Sequence, residues 1–168
     1  LPSCPGILGR ERLLHSVVFV PFVFIDGKYQ FLFEKRAKHI RQAGEVCFPG
    51  GAFDPQLDEK IKDTAIRETG EELGLSREKI HIDGRMDSLV SVTGHIIDIY
   101  VGRLHIGSLD ESSPEPAEVE QVFTVPVSYF LTHQPEVYHV HLEIKPSYYD
   151  ENGEEIVLLP SKELGLPE

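Results

Sequence analysis

The feature that most constrains the fold is one amphipathic segment, residues 58–73, set among runs of β-branched and aromatic residues. Small or apolar side chains recur in it every four residues: Ile61, Ala65, Thr69 and Leu73. This period predicts a helix over Asp58–Leu73 with one packing face, and Gly74 follows as a stop. One strong helix among several strands predicts an α/β fold.

The expected strands flank this helix on both sides. Asp26-Gly27 is typical of a hairpin turn between the first two strands. A six-residue segment from Pro126 to Leu131 is expected to form a short helix, because proline suits a first turn. The strands are predicted at Ser16–Ile25, Tyr29–Phe33, Lys79–Gly84, Asp87–Val92, Ile96–Ile106, Glu120–Val125, Val137–Ile144 and Ile156–Leu159.

Length and charge bound the class of protein. The chain has 168 residues, which predicts a single domain over 1–168 with a lead-in segment at 1–15. Its 28 acidic and 16 basic residues give a net charge of −12, a poor match for a nucleic-acid binder. Its longest apolar run, Val17–Ile25, is too short to span a membrane.

Cysteine content bears on the expected compartment. There are two cysteines, Cys4 and Cys47, which is too few for a disulfide framework. The N-terminus shows no charged-then-apolar signal pattern. A reduced, cytoplasmic setting is therefore expected. For Cys47, beside Phe48, a buried structural thiol is expected in preference to a nucleophile.

The predicted helix carries a strip of carboxylates. At about 100° per residue, Glu68 and Glu72 lie on one face and Glu71 lies on its flank. Like charges at this spacing cost roughly 0.2–0.5 kcal/mol per pair, which Arg67 partly offsets. A divalent cation such as Mg²⁺, which prefers oxygen ligands, would explain the strip. A solvated acidic helix face is the alternative.

The wider pattern resembles the Nudix hydrolase motif over residues 51–75. That motif has a glycine, an outer acid, and an end block that Arg67, Glu68, Glu71, Glu72, Gly74 and Leu75 match. Two differences are visible. Thr69 replaces the usual aliphatic residue, and the loop after Gly51 is two residues longer. The spacing of seven residues before Arg67 favours Glu59 as the outer acid, and Asp58 is the alternative.

The segment Arg36–Gly51, ending in Phe48-Pro49-Gly50-Gly51, resembles that of the coenzyme A diphosphatases of this family. The likeness extends over most of residues 16–131. It implies a Nudix-type α/β/α sandwich with a mixed sheet. It also implies hydrolysis of coenzyme A or acyl-CoA to 3′,5′-ADP and 4′-phosphopantetheine, a small-molecule diphosphate substrate.

The resemblance also implies roles for individual residues. Glu68 and Glu72 would hold Mg²⁺, with Mn²⁺ as an alternative ion, and Arg67 would orient these carboxylates. Phosphate oxygens would be gripped by Arg36 and Arg41. Gly50 and Gly51 would let the backbone approach metal or phosphate closely. The general base would be Glu71, with Glu118 as a rival.

Three alternatives stay open. The substrate could be ADP-ribose, an ADP-sugar or another nucleoside diphosphate derivative, or the chain could be a nucleotide-sensing module without catalysis. Relatives of this type usually continue into a C-terminal helix, and no such helical pattern precedes Leu166-Pro167-Glu168. The expectation is either a truncated chain or a partner chain, as in a homodimer, that covers the exposed face.

Overall fold

The computed structural model describes residues 9–141 and 145–165. Contacts within the chain divide it after His133 into two compact units. The first unit contains the large sheet and the main helix, and the second contains a small hairpin. The single domain over 1–168 stays a prediction. No helix in the described part of the chain is long and apolar enough to cross a membrane.

In the first unit, the described residues form a mixed eight-stranded sheet. The strands are β1 Leu14–Ile25, β2 Lys28–Arg36, β3 Val46–Cys47, β4 Gly50–Ala52, β5 Ile80–Arg85, β6 Leu89–Val90, β7 His95–Leu104 and β8 Val119–Pro126. The central strand, β1, runs parallel to β7 and antiparallel to β2 and β4. The order β3-β2-β1-β7-β5 is extended by β8 on β2 and by β6 on β7.

The turn between β1 and β2 forms as predicted. Asp26 and Gly27 both have positive φ, at 54° and 71°. Positive φ at both central positions matches the twist of the flanking strands and sets the register of the hairpin. Ile25 pairs with Lys28, and Phe22 pairs with Phe31.

Helix α1 spans Ile61–Leu73 and covers one face of this sheet. It begins three residues later than predicted, because Asp58 lies in the preceding loop with its side chain turned to Arg67. The predicted packing face is confirmed. Ala65 and Leu73 are fully buried against the sheet. Gly74 ends the helix with φ of 62°.

Helix α2, Val127–Thr132, packs on the opposite face, as the aromatic contacts show. Phe130 meets the rings of Phe31 and Phe33 on β2. The neighbouring Leu32 points the other way, into the core beneath α1. Helices on both faces of a mixed sheet agree with the predicted α/β fold.

The second unit contains an antiparallel pair, β9 Ser147–Tyr149 and β10 Glu155–Val157, followed by α3, Ser161–Leu164. The strand predicted over 137–144 is wrong for residues 137–141, which are exposed coil, and residues 142–144 lie outside the described part. Alternation alone does not make a strand when no neighbouring backbone pairs with it.

Candidate active site

The two glycines of β4 bring this short strand into close contact with β1 and α1. Gly51 pairs with Val17 of β1, and Gly50 pairs with Val18. A Cβ at Gly50 would overlap the carbonyl oxygen of Val17, and a Cβ at Gly51 would overlap the carboxylate of Glu68. A side chain at Gly50 would meet fixed backbone, whereas one at Gly51 would force the flexible end of Glu68 to move. Glycine at Gly51 therefore keeps the Glu68 carboxylate in its present position.

Glu72 on α1 is tied to the same strand. The backbone N–H of Gly50 donates a hydrogen bond of 2.9 Å to Oε2 of Glu72. The Glu72 side chain is almost fully buried. Burial, together with the nearby charge of Glu34, raises the pKa of Glu72 to about 9, against the lowering effect of the Gly50 N–H.

Glu34 on β2 is the second fully buried carboxylate near this point. Its Oε1 accepts a hydrogen bond from Cys47 Sγ at 3.3 Å, and its Oε2 has no partner among the described residues. Burial raises the pKa of Glu34, and it also raises the pKa of Glu68 against the lowering effect of Arg67. Glu34, Glu68 and Glu72 thus place acidic oxygens in a region of low solvent access.

These oxygen donors fit a hard divalent cation. The orphaned Oε2 of Glu34 and the buried carboxylate of Glu72 are groups whose charge a cation would neutralise. Within residues 9–141 and 145–165, no three His, Cys, Asp or Glu side chains are already grouped closely enough to hold a metal ion. The fit therefore rests on donor chemistry and burial.

Arg67 connects three acidic side chains around the helix. Its Nε and Nη2 donate to Asp58 at 3.2 and 3.0 Å, Nη2 also donates to Glu68 Oε1 at 2.9 Å, and Nη1 donates to Glu71 Oε2 at 2.9 Å. These hydrogen bonds hold the pKa of Asp58 below its usual value. Arg67 thereby sets the positions of the carboxylates around it.

The same contacts distinguish the two candidates for the outer acid. Asp58 is buried and pairs with Arg67, whereas Glu59 is exposed. The two-residue longer loop after Gly51 thus delivers Asp58, and not the residue at the regular spacing, to the arginine.

The two candidates for the general base lie on different elements, Glu71 on α1 and Glu118 on the loop before β8. Glu71 is 60% exposed and is held by Arg67. Glu118 is exposed on the loop before β8, and its carbonyl oxygen accepts from the N–H of Ala37 at 2.9 Å. The charge of Glu118 raises the pKa values of Glu34, Glu68 and Glu72, so its carboxylate lies near all three.

The loop before β8 is also joined to the end of α1. The backbone N–H of Glu115 donates to the carbonyl oxygen of Glu72 at 3.0 Å, and that of Ser113 donates to the carbonyl oxygen of Leu73 at 2.9 Å. Because helix ends leave carbonyls unpaired, these two bonds satisfy groups that would otherwise need water. The helix and the loop are thereby fixed to each other.

The basic loop between β2 and β3 starts at Arg36. The Arg36 Nε donates to the carbonyl oxygen of Arg41 at 3.1 Å, and its backbone pairs with Gly44 and Glu45. The Arg36 charge partly offsets the rise in the pKa of Glu34 that burial causes, so the guanidinium lies at the border of the acidic region. The structure thus brings Arg36 near the carboxylates, while Arg41 is exposed on the same loop.

The sequence analysis missed Glu34 as a residue of this site, and it expected Cys47 to be a structural thiol. Glu34 shares a strand face with Leu32, and a carboxylate at a buried position of an alternating strand is the signal that could have identified it. Cys47 is half-buried, and its pKa is raised to about 12 by burial and by Glu34, so the thiol is protonated. A protonated, hydrogen-bonded thiol agrees with a structural role.

Comparison with known proteins identifies the family of this arrangement. The NUDIX domain family model matches residues 14–148. "Nudix hydrolase 3" of Caenorhabditis elegans is 37% identical over 66% of this chain and 46% of its own length. "Peroxisomal coenzyme A diphosphatase NUDT7" of Mus musculus is 36% identical over 73% of this chain and 50% of its own length. The chain thus spans about half the length of these curated relatives.

A solved structure agrees with the fold. The NUDIX domain of Shewanella oneidensis NrtR, complexed with ADP ribose, superposes with a TM-score of 0.55. It is 21% identical in sequence, and the match covers 73% of this chain and 78% of that one. The shared feature at this identity is the fold.

Proposed function

The chain belongs to the Nudix family, and from this premise we propose that it hydrolyses a diphosphate linkage in a small molecule. The proposed substrate is coenzyme A or an acyl-CoA, and the products are 3′,5′-ADP and 4′-phosphopantetheine or its acyl form. Water adds to one phosphorus, the bridging P–O bond breaks, and two phosphate monoesters result.

The observation that carries this proposal is the placement of two glutamates, Glu72 buried and Glu68 partly buried, against the two glycines of β4. Glu68 fills the space next to Gly51, and Glu72 is bonded to the Gly50 N–H. Glu68 and Glu72 would hold a divalent cation, Mg²⁺ or alternatively Mn²⁺, which when bound polarises phosphoryl oxygens and activates water. A chain that retains both glutamates and Arg67 is better suited to catalysis than to sensing a nucleotide without cleaving it.

The chain's own side chains meet the other demands of the reaction. Arg36 and Arg41 bind phosphate oxygens through paired hydrogen bonds. They also supply local positive charge for the substrate phosphates in a protein whose net charge is strongly negative. Arg67 orients Glu68. The water proton is accepted by Glu71, with Glu118 as the rival base; each carboxylate is exposed and ready to pass the proton to solvent.

The finer assignment to coenzyme A rests on two supports. The segment Arg36–Gly51 resembles the corresponding part of the coenzyme A diphosphatases, and curated relatives at about 35% identity are named for that activity.

We also propose a reduced, cytoplasmic setting for the protein, which the free thiol of Cys47 supports. A homodimer is proposed as one arrangement that would cover exposed apolar surface.

Product analysis tests the substrate. The protein is incubated with coenzyme A, ADP-ribose or NADH, each with Mg²⁺, and the products are separated by chromatography. The expected result is 3′,5′-ADP from coenzyme A at the highest rate. Turnover of ADP-ribose without 3′,5′-ADP from coenzyme A would reject this substrate but keep the chemistry.

A pair of charge-matched variants tests the site. Glu72→Gln should reduce turnover by about a hundredfold or more, because a cation-holding carboxylate contributes several kcal/mol. Glu78→Gln, at an exposed position after α1, removes the same charge and should leave turnover unchanged. Equal activity of the two variants would reject the assignment of Glu72.

A further inference from the structure

Glu34 occupies a position where an isolated carboxylate is unfavourable. Its side chain is 1% exposed, on the face of β2 that also carries Leu32. Leu32 packs in the core with Ala65 and Leu73 of α1, so the Glu34 side chain points toward the same helix. Burying a carboxylate without full pairing is expensive, so its retention here needs a reason.

Another strand carboxylate of this chain shows how such a group is ordinarily paired. Asp98 on β7 is also fully buried. Its Oδ2 accepts from His15 at 2.7 Å and from Arg10 at 3.3 Å, and its Oδ1 pairs with Arg85 and Ser88. Both oxygens of Asp98 are therefore satisfied by side chains, two of them cationic.

Glu34 lacks this set of partners. Its Oε1 accepts only the weak Sγ–H donor of Cys47, and its Oε2 has no partner among the described residues. Arg36 is the cation whose charge acts on Glu34, and its Nε is engaged with the Arg41 carbonyl. The guanidinium of Arg67 is already shared among Asp58, Glu68 and Glu71.

The neighbours of Glu34 add negative charge instead of relieving it. Glu72 on α1 is also buried and interacts with Glu34 through its charge. The exposed Glu118 acts on both of them. Two buried carboxylates beside each other, one with a free oxygen, match a place where a divalent cation supplies the missing positive charge.

We propose that Glu34 is a positioning residue of the divalent-cation site, whose buried negative charge acts behind Glu72 to strengthen cation binding. The inference rests on the proposed function, because it takes Glu68 and Glu72 as the residues that hold the ion. The Cys47 thiol directs the Glu34 carboxylate by binding Oε1, which leaves Oε2 free. Removal of a residue that acts on a metal ligand, and not on the metal itself, typically changes metal affinity by about 10- to 100-fold.

The test measures Mn²⁺ binding to the full chain by the loss of the free-ion electron paramagnetic resonance signal, without any substrate. Wild-type protein should bind Mn²⁺, and Glu34→Gln should bind at least about tenfold more weakly. Glu34→Asp, which keeps the charge, should fall between them. Glu78→Gln is the control for loss of an exposed charge and should match wild type.

Thermal unfolding without metal separates a role in binding from a role in folding. Glu34→Gln and Glu34→Thr should melt no lower than wild type, because each removes a buried carboxyl group that is costly to ionise and only partly hydrogen-bonded. Mn²⁺ should raise the melting temperature of wild type more than that of either variant. If both neutral variants fail to fold, or if Glu34→Gln binds Mn²⁺ within twofold of wild type, the inference is overturned.

The same measurements distinguish this inference from the proposed function. If wild type binds Mn²⁺, Glu72→Gln does not, and Glu34→Gln binds normally, only the role of Glu34 is rejected. If wild type and Glu72→Gln bind equally, or neither binds, the assignment of the cation site itself is rejected, and the inference about Glu34 is rejected with it.

Discussion

The backbone N–H of Gly50 and the Oε2 atom of Glu72 form a 2.9 Å hydrogen bond that joins strand β4 to helix α1. This bond places a buried carboxylate of the helix directly against the paired glycines. Two residues 22 positions apart in the sequence are thereby held in contact, and substitutions at this contact can test its role.

Substitution of Gly51 tests the close approach of strand and helix. In Gly51→Ala, the new Cβ would overlap the Glu68 carboxylate, so the side chain must leave its position. Because the overlap is with the flexible end of a side chain, we expect only a small loss in the free energy of unfolding but a marked loss of turnover. Urea denaturation and product release measure the two effects.

Gly84→Ala is the matched control, since a Cβ at Gly84 meets no atom within 4 Å. Its free energy of unfolding should stay within about 1 kcal/mol of wild type, with turnover unchanged. If Gly51→Ala behaves in the same way as Gly84→Ala, the packing of Glu68 against Gly51 is not required for activity.

The pKa of Glu72, raised to about 9 chiefly by burial, makes stability depend on pH. Between the usual carboxyl pKa and about 9, the folded state holds a proton that the unfolded state has released. Stability without divalent cation should therefore fall as pH rises from about 5 to 9. Chemical denaturation at several pH values in EDTA measures this slope.

In Glu72→Gln, no proton can be released at this position, so the slope over the same range should become smaller. Mg²⁺ should oppose the loss in wild type, because a ligand that binds the folded state stabilises it. An unchanged slope in the variant would show that the pH dependence arises from other groups.

The ion pair of Asp58 with Arg67 acts in the opposite pH range. Hydrogen bonds from Arg67 lower the pKa of Asp58, so at acid pH the unfolded state binds the proton more readily than the folded state. The stability that this pair contributes is present above the usual aspartate pKa and is lost as pH falls through the lowered value. Denaturation between pH 5 and 2 measures this loss.

Asp58→Asn should be less stable than wild type at pH 6, and the difference should shrink toward pH 2. Glu59→Gln, at the exposed neighbouring position, should follow the wild-type curve. If Glu59→Gln is instead the variant that loses acid sensitivity, the outer acid is misassigned.

The identity of the general base can be read from pH–rate profiles of two variants. Glu71→Gln should lower kcat by about 10²-fold or more and remove the acidic limb of the profile, as expected for loss of a general base. Glu118→Gln should lower kcat less than tenfold. The reverse result would assign the base to Glu118, whose charge acts on Glu34, Glu68 and Glu72.

The sequence predicts local features of this protein well. The helix and the β1–β2 hairpin depend on neighbours within a few residues, namely the four-residue period ending at Leu73 and the turn at Asp26-Gly27. The carboxylate strip follows from helical geometry alone, so Glu68 and Glu72 could be brought together from their spacing.

Features that depend on distant contacts could not be predicted in this way. Glu34 becomes significant only because the sheet buries it and pairs β2 with β3, which places Cys47 beside it. Whether Asp58 or Glu59 pairs with Arg67 depends on the path of the loop after Gly51, which is longer than the corresponding loop of the motif. The apolar–polar alternation after His133 predicts a strand over 137–144, but in the part of it that the structure describes, 137–141, the chain is unpaired coil.

Glu72 also links the site to a more distant surface through its main chain. Its carbonyl oxygen accepts the Glu115 N–H, while its side chain accepts the Gly50 N–H. A shift of the 113–118 loop will therefore pull on the end of the helix that carries this carboxylate. Lengthening that loop should impair turnover even when Glu118 itself is untouched, because the strain passes along the peptide backbone.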